Sequence, residues 1–257
     1  AVLVLPLGGC AKLYDVHVGG ASVSYWAPEL SGDFSDDITG LLGTEIDAED
    51  TLDLGDERIP EFRAFVSAGP LTVEGTYFTA NYEGSNTLSI PIQFDGEELT
   101  GDLFSEVDLD YAVGKLKLGL IGAGPVAVGA ILGVGYIRLA GELTGESTGI
   151  IPLTMTVDDE IDTPFPVVGA TVTLDQGITE ALSIFGEAEA FGIAINDQFD
   201  LDGHFVDAQA RAGIGIADIF RIGVGYRVMD LNVEETNDQA TWNLRLQGPY
   251  LFGELRF

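Results

Sequence analysis

Basic residues are scarce in this chain: 11 Lys and Arg stand against 42 Asp and Glu in 257 residues, a formal net charge of −31. That excludes nucleic acid as a partner, since neutralising phosphates needs a basic surface. Cysteine is nearly missing. Cys10 is the single one, so an internal disulfide framework and a cysteine-ligated metal cluster are both excluded. Histidine occurs only at His17 and His204. There is no His-x-x-His spacing, no Gly-x-Ser-x-Gly and no glycine-rich phosphate loop opening a helix. No enzyme is expected, and a membrane-embedded hydrolase, the one catalytic alternative, would have to use these two histidines. Long helices are excluded as well, because many of the 34 glycines fall inside the apolar runs, where each costs a helix about 1 kcal/mol relative to Ala. The uncharged run of 20 residues from Leu118 to Ile137 is long enough for a membrane-spanning helix. It contains Gly119, Gly122, Gly124, Pro125, Gly129, Gly133 and Gly135, and reads instead as two strands joined by a tight turn at "GAGP".

Period-2 alternation is what the chain has in abundance. In "EVDLDYAVG", Val107, Leu109, Tyr111 and Val113 alternate with Asp108, Asp110 and Ala112; "RIGVGYRV" sets Ile222, Val224, Tyr226 and Val228 against Arg221, Gly223, Gly225 and Arg227. Ten strands follow, at 13–27, 57–68, 71–82, 103–119, 125–143, 165–175, 180–194, 204–216, 220–233 and 240–257. The connections alternate. Short turns fall near Gly69-Pro70, Gly122 to Gly124, Gln176-Gly177 and Ala217-Asp218, and long ones at 28–56, 83–102, 144–164, 195–203 and 234–239. This predicts an all-β fold: an antiparallel up-and-down transmembrane β-barrel of 8–10 strands, ten by count, with its long acidic loops at one end. Residues 1–11 ("AVLVLPLGGCA") read as the remnant of a signal peptide or an N-terminal segment, cleaved after Ala11 or lipidated at Cys10. Residues 12–257 then form a single barrel domain in a bacterial outer membrane.

A soluble barrel is apolar inside and a membrane barrel is apolar outside. Lys occurs only at Lys12, Lys115 and Lys117, whereas a solvated sheet face normally carries many. The apolar face is therefore assigned to lipid and the mixed face to the lumen. That places Glu61, Arg63, Glu74, Asp108, Asp110, Glu187, Glu189, Asp207, Arg211, Arg227 and Arg245 inside, as a network whose buried charges must be paired. The spans 28–57, 83–102, 142–162, 195–203 and 230–239 hold 29 acidic residues and no Lys or Arg, an anionic field at one end of the molecule. No cofactor is expected, apart from Ca2+ or another divalent cation at the acidic loops, within them or bridging to lipopolysaccharide. "QFDLDGHF" offers Asp200 and Asp202 as a weak divalent site, but Gln198 and Gln209 stand where a calcium loop has its first and last ligands.

The chain ends "GPYLFGELRF". Leu255, Gly253, Leu251 and Pro249 share the face of Phe257, while Trp242, Leu244 and Leu246 have the opposite parity, which predicts a bulge at Gly248-Pro249. The strand with Gly19-Gly20 ("VHVGGASVSYW"), the acid-rich first loop leading to "LGDER", and the terminal "LFGELRF" together resemble small outer-membrane β-barrels of the OmpW-like group. The resemblance implies an eight-stranded barrel that passes small apolar molecules through a lateral opening, and Phe257 as the residue that barrel-assembly machinery reads. Outer-membrane lipid, lipopolysaccharide and a small-molecule solute would then be its partners. A narrow porin or small-molecule channel, a structural surface protein, and a soluble secreted calcium- or ligand-binding β protein all remain open.

Overall fold

The computed structural model describes residues 19–35, 46–47, 57–94, 97–147, 154–198, 201–235 and 241–257. Twelve strands run in chain order: β1 (Gly19–Trp26), β2 (Glu29–Ser35), β3 (Ile46–Asp47), β4 (Ile59–Ala68), β5 (Leu71–Phe94), β6 (Glu97–Ala123), β7 (Val126–Ser147), β8 (Thr154–Gly177), β9 (Leu182–Gln198), β10 (Leu201–Ile216), β11 (Phe220–Glu235) and β12 (Thr241–Arg256). There is no helix among the described residues. Each strand from β4 to β12 pairs antiparallel with the next, and β1 pairs with both β4 and β12, which closes a ten-stranded barrel. β2 continues β1 along β12 in the same register beyond the break at Ala27-Pro28, and β3 adds a short pairing to β2. Ten strands correct the eight that the resemblance implies. Residues 1–18, with the proposed signal remnant, Cys10, Lys12 and His17, lie outside the described residues.

Local chemistry sets the turns. The β4–β5 and β6–β7 loops are both Gly-Pro, with Gly69 at φ +61° and Gly124 at φ +62°. Glycine takes the positive φ that a two-residue hairpin requires, and Pro pre-sets the next residue. These turns define one end of the barrel, the turn end. At the other, the loop end, the strands run much further than predicted. The spans 83–102 and 144–164, read above as connections, are mostly strand. Their sequence is mostly polar, so the alternation that marks a lipid-facing strand is weak there.

Closure joins the first strand to the last. Gly19 donates to the Phe257 carbonyl at 3.0 Å, and Phe257 donates back to Gly19 at 2.9 Å. The predicted bulge in β12 is absent: β11 and β12 pair without a register shift from Phe220↔Leu255 to Glu234↔Thr241. Leu244, Leu246, Gly248, Tyr250, Phe252 and Glu254 all face inward, and Pro249, Leu251, Leu255 and Phe257 all face outward. The strand keeps its phase, and the residue chemistry on each face changes instead.

Candidate functional site

Outward side chains form an apolar belt. On β7 it runs Val126, Val128, Ala130, Leu132, Val134, Tyr136; on β11, Phe220, Ile222, Val224, Tyr226. Tyr25, Tyr77, Tyr136 and Tyr226 stand along its upper rim, and Phe220 and Phe257 along its lower rim. The ten residue steps from Val126 to Tyr136 measure about 33 Å along a strand, or about 25 Å in height at a tilt of about 40°. Above the tyrosines the outward positions become polar: Arg58, Thr79, Asp110, Arg138, His204, Asp230 and Arg245.

Inside, the order is reversed. At belt level the interior carries Arg63, Glu74, Lys115, Lys117, Glu187, Glu189, Arg211 and Glu254, with Glu61, Asp207 and Arg227 just above. Lys117 Nζ meets three carboxylates, Glu189 at 2.5 Å, Glu187 at 2.9 Å and Glu74 at 3.0 Å. Lys115 Nζ lies 2.5 Å from Glu189 and 2.8 Å from Glu74. Arg63 pairs with Glu74 and reaches Glu187 at 3.2 Å. Arg211 donates to Glu187 through Nη2 at 2.5 Å and through Nε at 2.8 Å, and to Glu254 at 3.1 Å. Arg256 completes Glu254 at 2.8 Å. Gln209 donates to Glu189 at 2.6 Å and accepts from the Tyr250 hydroxyl at 2.9 Å.

The second cluster is built on Arg227. Its guanidinium donates to both oxygens of Asp207, at 3.0 and 2.6 Å, and pairs with Glu61. Tyr111 donates to Asp207 at 2.9 Å, and Ser24 donates to Glu61 at 3.0 Å. Three rings surround the same guanidinium, with centroids 5.0 Å (Trp26), 5.1 Å (Phe78) and 5.3 Å (Tyr111) away. A planar, weakly hydrated cation suits such a box, since it bonds carboxylates in its plane and aromatic rings on its faces. Above it the interior is apolar: Ile59, Phe78, Tyr82, Leu109, Ile137, Leu139, Phe165, Phe205, Met229 and Leu231 are all buried.

Among the described residues six cations (Arg63, Lys115, Lys117, Arg211, Arg227, Arg256) thus face six anions (Glu61, Glu74, Glu187, Glu189, Asp207, Glu254) in these two clusters, and Arg221 pairs with Asp175 nearer the turn end. These paired groups sum to zero, so they contribute nothing to the net charge of −31. Burying charge is tolerated only where each group is paired, which the lattice achieves.

Of the residues assigned to the lumen from sequence, Glu61, Arg63, Glu74, Glu187, Glu189, Asp207, Arg211 and Arg227 stand there. Asp108, Asp110 and Arg245 do not. They project from the outer wall above the belt, where Asp108 accepts from Asn81 at 2.7 Å and Asp110 lies 3.6 Å from Arg138. The physical reason is that the outer wall at that height is polar, so charge no longer marks the inner face. Lys115, Lys117, Glu254 and Arg256 were missed; on β6 the signal was parity, since both lysines continue the face of Val107, Leu109, Tyr111 and Val113. The weak divalent pair is not described: Asp200 lies outside the described residues, as does the side chain of Asp202. Among the described residues no group of three or more His, Cys, Asp or Glu is placed to hold a metal ion. His204 Nε2 is 3.2 Å from Asp230 on the exposed outer wall.

The fold is that of small outer-membrane β-barrels. The chain matches no protein family model and no curated protein. Among solved structures it is similar to the outer membrane protease OmpT from Escherichia coli, with a TM-score of 0.54 and 10% identity over 93% of this chain and 97% of that one. It is also similar to the outer membrane protein AlkL in DMPC bilayers (TM-score 0.42, 12% identity, 100% and 97% covered). A third is the transport unit of the autotransporter AIDA-I from Escherichia coli (TM-score 0.42, 10% identity, 99% and 94% covered).

Proposed function

We propose that this protein is a bacterial outer-membrane barrel with a closed interior, which anchors and displays an anionic surface and does not conduct solutes. The carrying observation is that buried side chains fill the interior along its height: the ion lattice at belt level, the Arg227 box above it and the aromatic core above that. An eight-stranded barrel is just wide enough to be filled by side chains; ten strands filled by long charged and aromatic residues are the next size up. The belt supports the membrane setting. Among the described residues 34 large apolar side chains are exposed, far more than a water-soluble monomer leaves on its surface. This disfavours the soluble calcium- or ligand-binding reading. Phe257 stands outward at the lower rim, a suitable place for an assembly signal read from the lipid side. The hydrolase alternative gains nothing from His204, whose Nε2 lies beside the Asp230 carboxylate on the exposed outer wall.

Planar-bilayer recording of the purified protein tests the reading. The wild type is expected to show a heat-modifiable shift on a detergent gel and no stable conductance step. A reproducible single-channel step would overturn the closed interior and restore the narrow-porin alternative.

A further inference from the structure

Strands β5 to β8 leave the barrel at its loop end as a four-stranded blade, and prolines mark both seams. β5 pairs with β4 only from Leu71 to Phe78. Ala68 and Leu71 flank the two-residue turn and form the first ladder pair, so alternate residues bond across, and the next β4 position due to donate toward β5 is Pro60. Pro has no N–H, and the ladder ends there. On the other side β8 pairs with β9 only as far as Val168↔Gly192, and the next two donors facing β9 are Pro166 and Pro164. That parity is fixed by Asp175, which donates to the opposite side, to Pro125, at 2.8 Å.

The two edges of the blade are treated differently. The outward-facing main chain of β8 runs through Asp158, Glu160, Asp162, Pro164 and Pro166, and charge and Pro are the usual means of blunting an edge. On β5 it runs through Thr79, Asn81, Glu83 and Ser85, with one charge and no Pro. One position further, the Thr87 N–H is closed off by the Asn86 side chain at 2.8 Å. Among the described residues no strand pairs with β5 on this side above Phe78. The open stretch from Thr79 to Ser85 is seven residues, about 20 Å, the length of an ordinary strand.

We propose that the β5 edge over Thr79–Ser85 docks an extended, basic strand of a partner protein by main-chain pairing. Main-chain bonds hold a strand added to a sheet edge, and side chains select it. The selecting charges are Glu83 on β5 and Glu106 and Asp108 on β6, all exposed on the outer wall beside the edge. A second copy of this chain, itself at −31, is opposed by the same field. The proposal extends the surface-display reading but does not require a closed interior, and conductance is unaffected by it.

The test uses the full chain in detergent and a fluorescent nine-residue peptide alternating Lys and Val, with a Glu and Val peptide as control. The basic peptide is expected to bind saturably and the acidic one not. N-methylation of the N–H groups along one peptide face, and separately Ser85→Pro, should each weaken binding about tenfold or more, the loss of one or two ladder bonds. Ser85→Pro removes an N–H that faces away from β6, so the heat-modifiable shift should persist; should that variant misfold, the methylated peptide on wild type still decides. Equal binding of the methylated peptide, or of both peptides, would overturn the proposal. So would a dimer that Ser85→Pro dissolves while the basic peptide stays unbound.

Discussion

Below the ring of tyrosines the barrel wall is apolar outside and charged inside; above it the same strands are polar outside and apolar inside. On β6 the inward series is Lys117, Lys115, Val113, Tyr111, Leu109, Val107, and the outward series is Leu118, Leu116, Gly114, Ala112, Asp110, Asp108. No register shift intervenes between Leu118 and Phe104. β12 repeats the exchange, with Glu254 giving way inward to Leu246 and Leu244, and Leu255 and Leu251 giving way outward to Arg245. A strand fixes only which residues share a face. The medium on each side decides what those residues must be. In lipid the outer wall has to be apolar, and a filled interior can then take charge if it is neutralised internally. In water the barrel's extension must behave as a soluble β domain, and the apolar residues turn inward.

The largest expected effect lies in the lower interior. Lys117→Met leaves Glu74, Glu187 and Glu189 short of a cation that touches all three. Breaking a buried pair in this way destabilises by about 3–5 kcal/mol, measurable by urea unfolding in lipid vesicles. Lys117→Met combined with Glu189→Leu should cost less than Lys117→Met alone, because the unpaired charge is gone. A double variant that is as unstable as two independent losses would mean that the lattice does not act as one neutral unit.

Next comes the outer wall. Val134 and Ala140 both point outward on β7, one within the belt and the other beyond Arg138. Val134→Arg should cost about 2–4 kcal/mol and Ala140→Arg about 0–1 kcal/mol, the depth dependence of a charge on a lipid-facing wall. Equal costs at the two positions would remove the boundary at the tyrosines.

Strand number, closure and turn positions were legible from sequence, because alternation and Gly-Pro pairs are local signals. So was the direction of the belt, and with it eight of the interior charges. What was not legible has one cause. The rule that charge faces the lumen was applied along the whole strand, although it holds only where lipid is outside. It misplaced Asp108, Asp110 and Arg245, and it required a bulge in β12 to reconcile Leu244 and Leu246 with Leu251 and Leu255. It also hid Lys115 and Lys117, which share parity with an apolar run. The extended strands beyond residues 82 and 143 escaped because a sheet wetted on its outer face, with polar residues in place of the apolar set, carries no lipid signature.

The smallest expected effect is the most discriminating for the sidedness of β6. Asp110 and Lys117 sit seven residues apart on one strand and on opposite faces. The Asp110–Arg138 pair is 3.6 Å apart and both side chains are partly exposed. An ion pair in that setting contributes about 0.2–1 kcal/mol and weakens further with salt. Asp110→Asn should therefore shift the unfolding midpoint slightly at low salt and not at all at high salt. Lys117→Met, buried among its carboxylates, should cost nearly the same at both. The salt dependence separates the two better than the magnitudes do, because it reports whether water and ions reach the pair. If Asp110→Asn proved strongly destabilising and insensitive to salt, Asp110 would lie inside the wall, and the exchange of faces above the tyrosines would be wrong for β6.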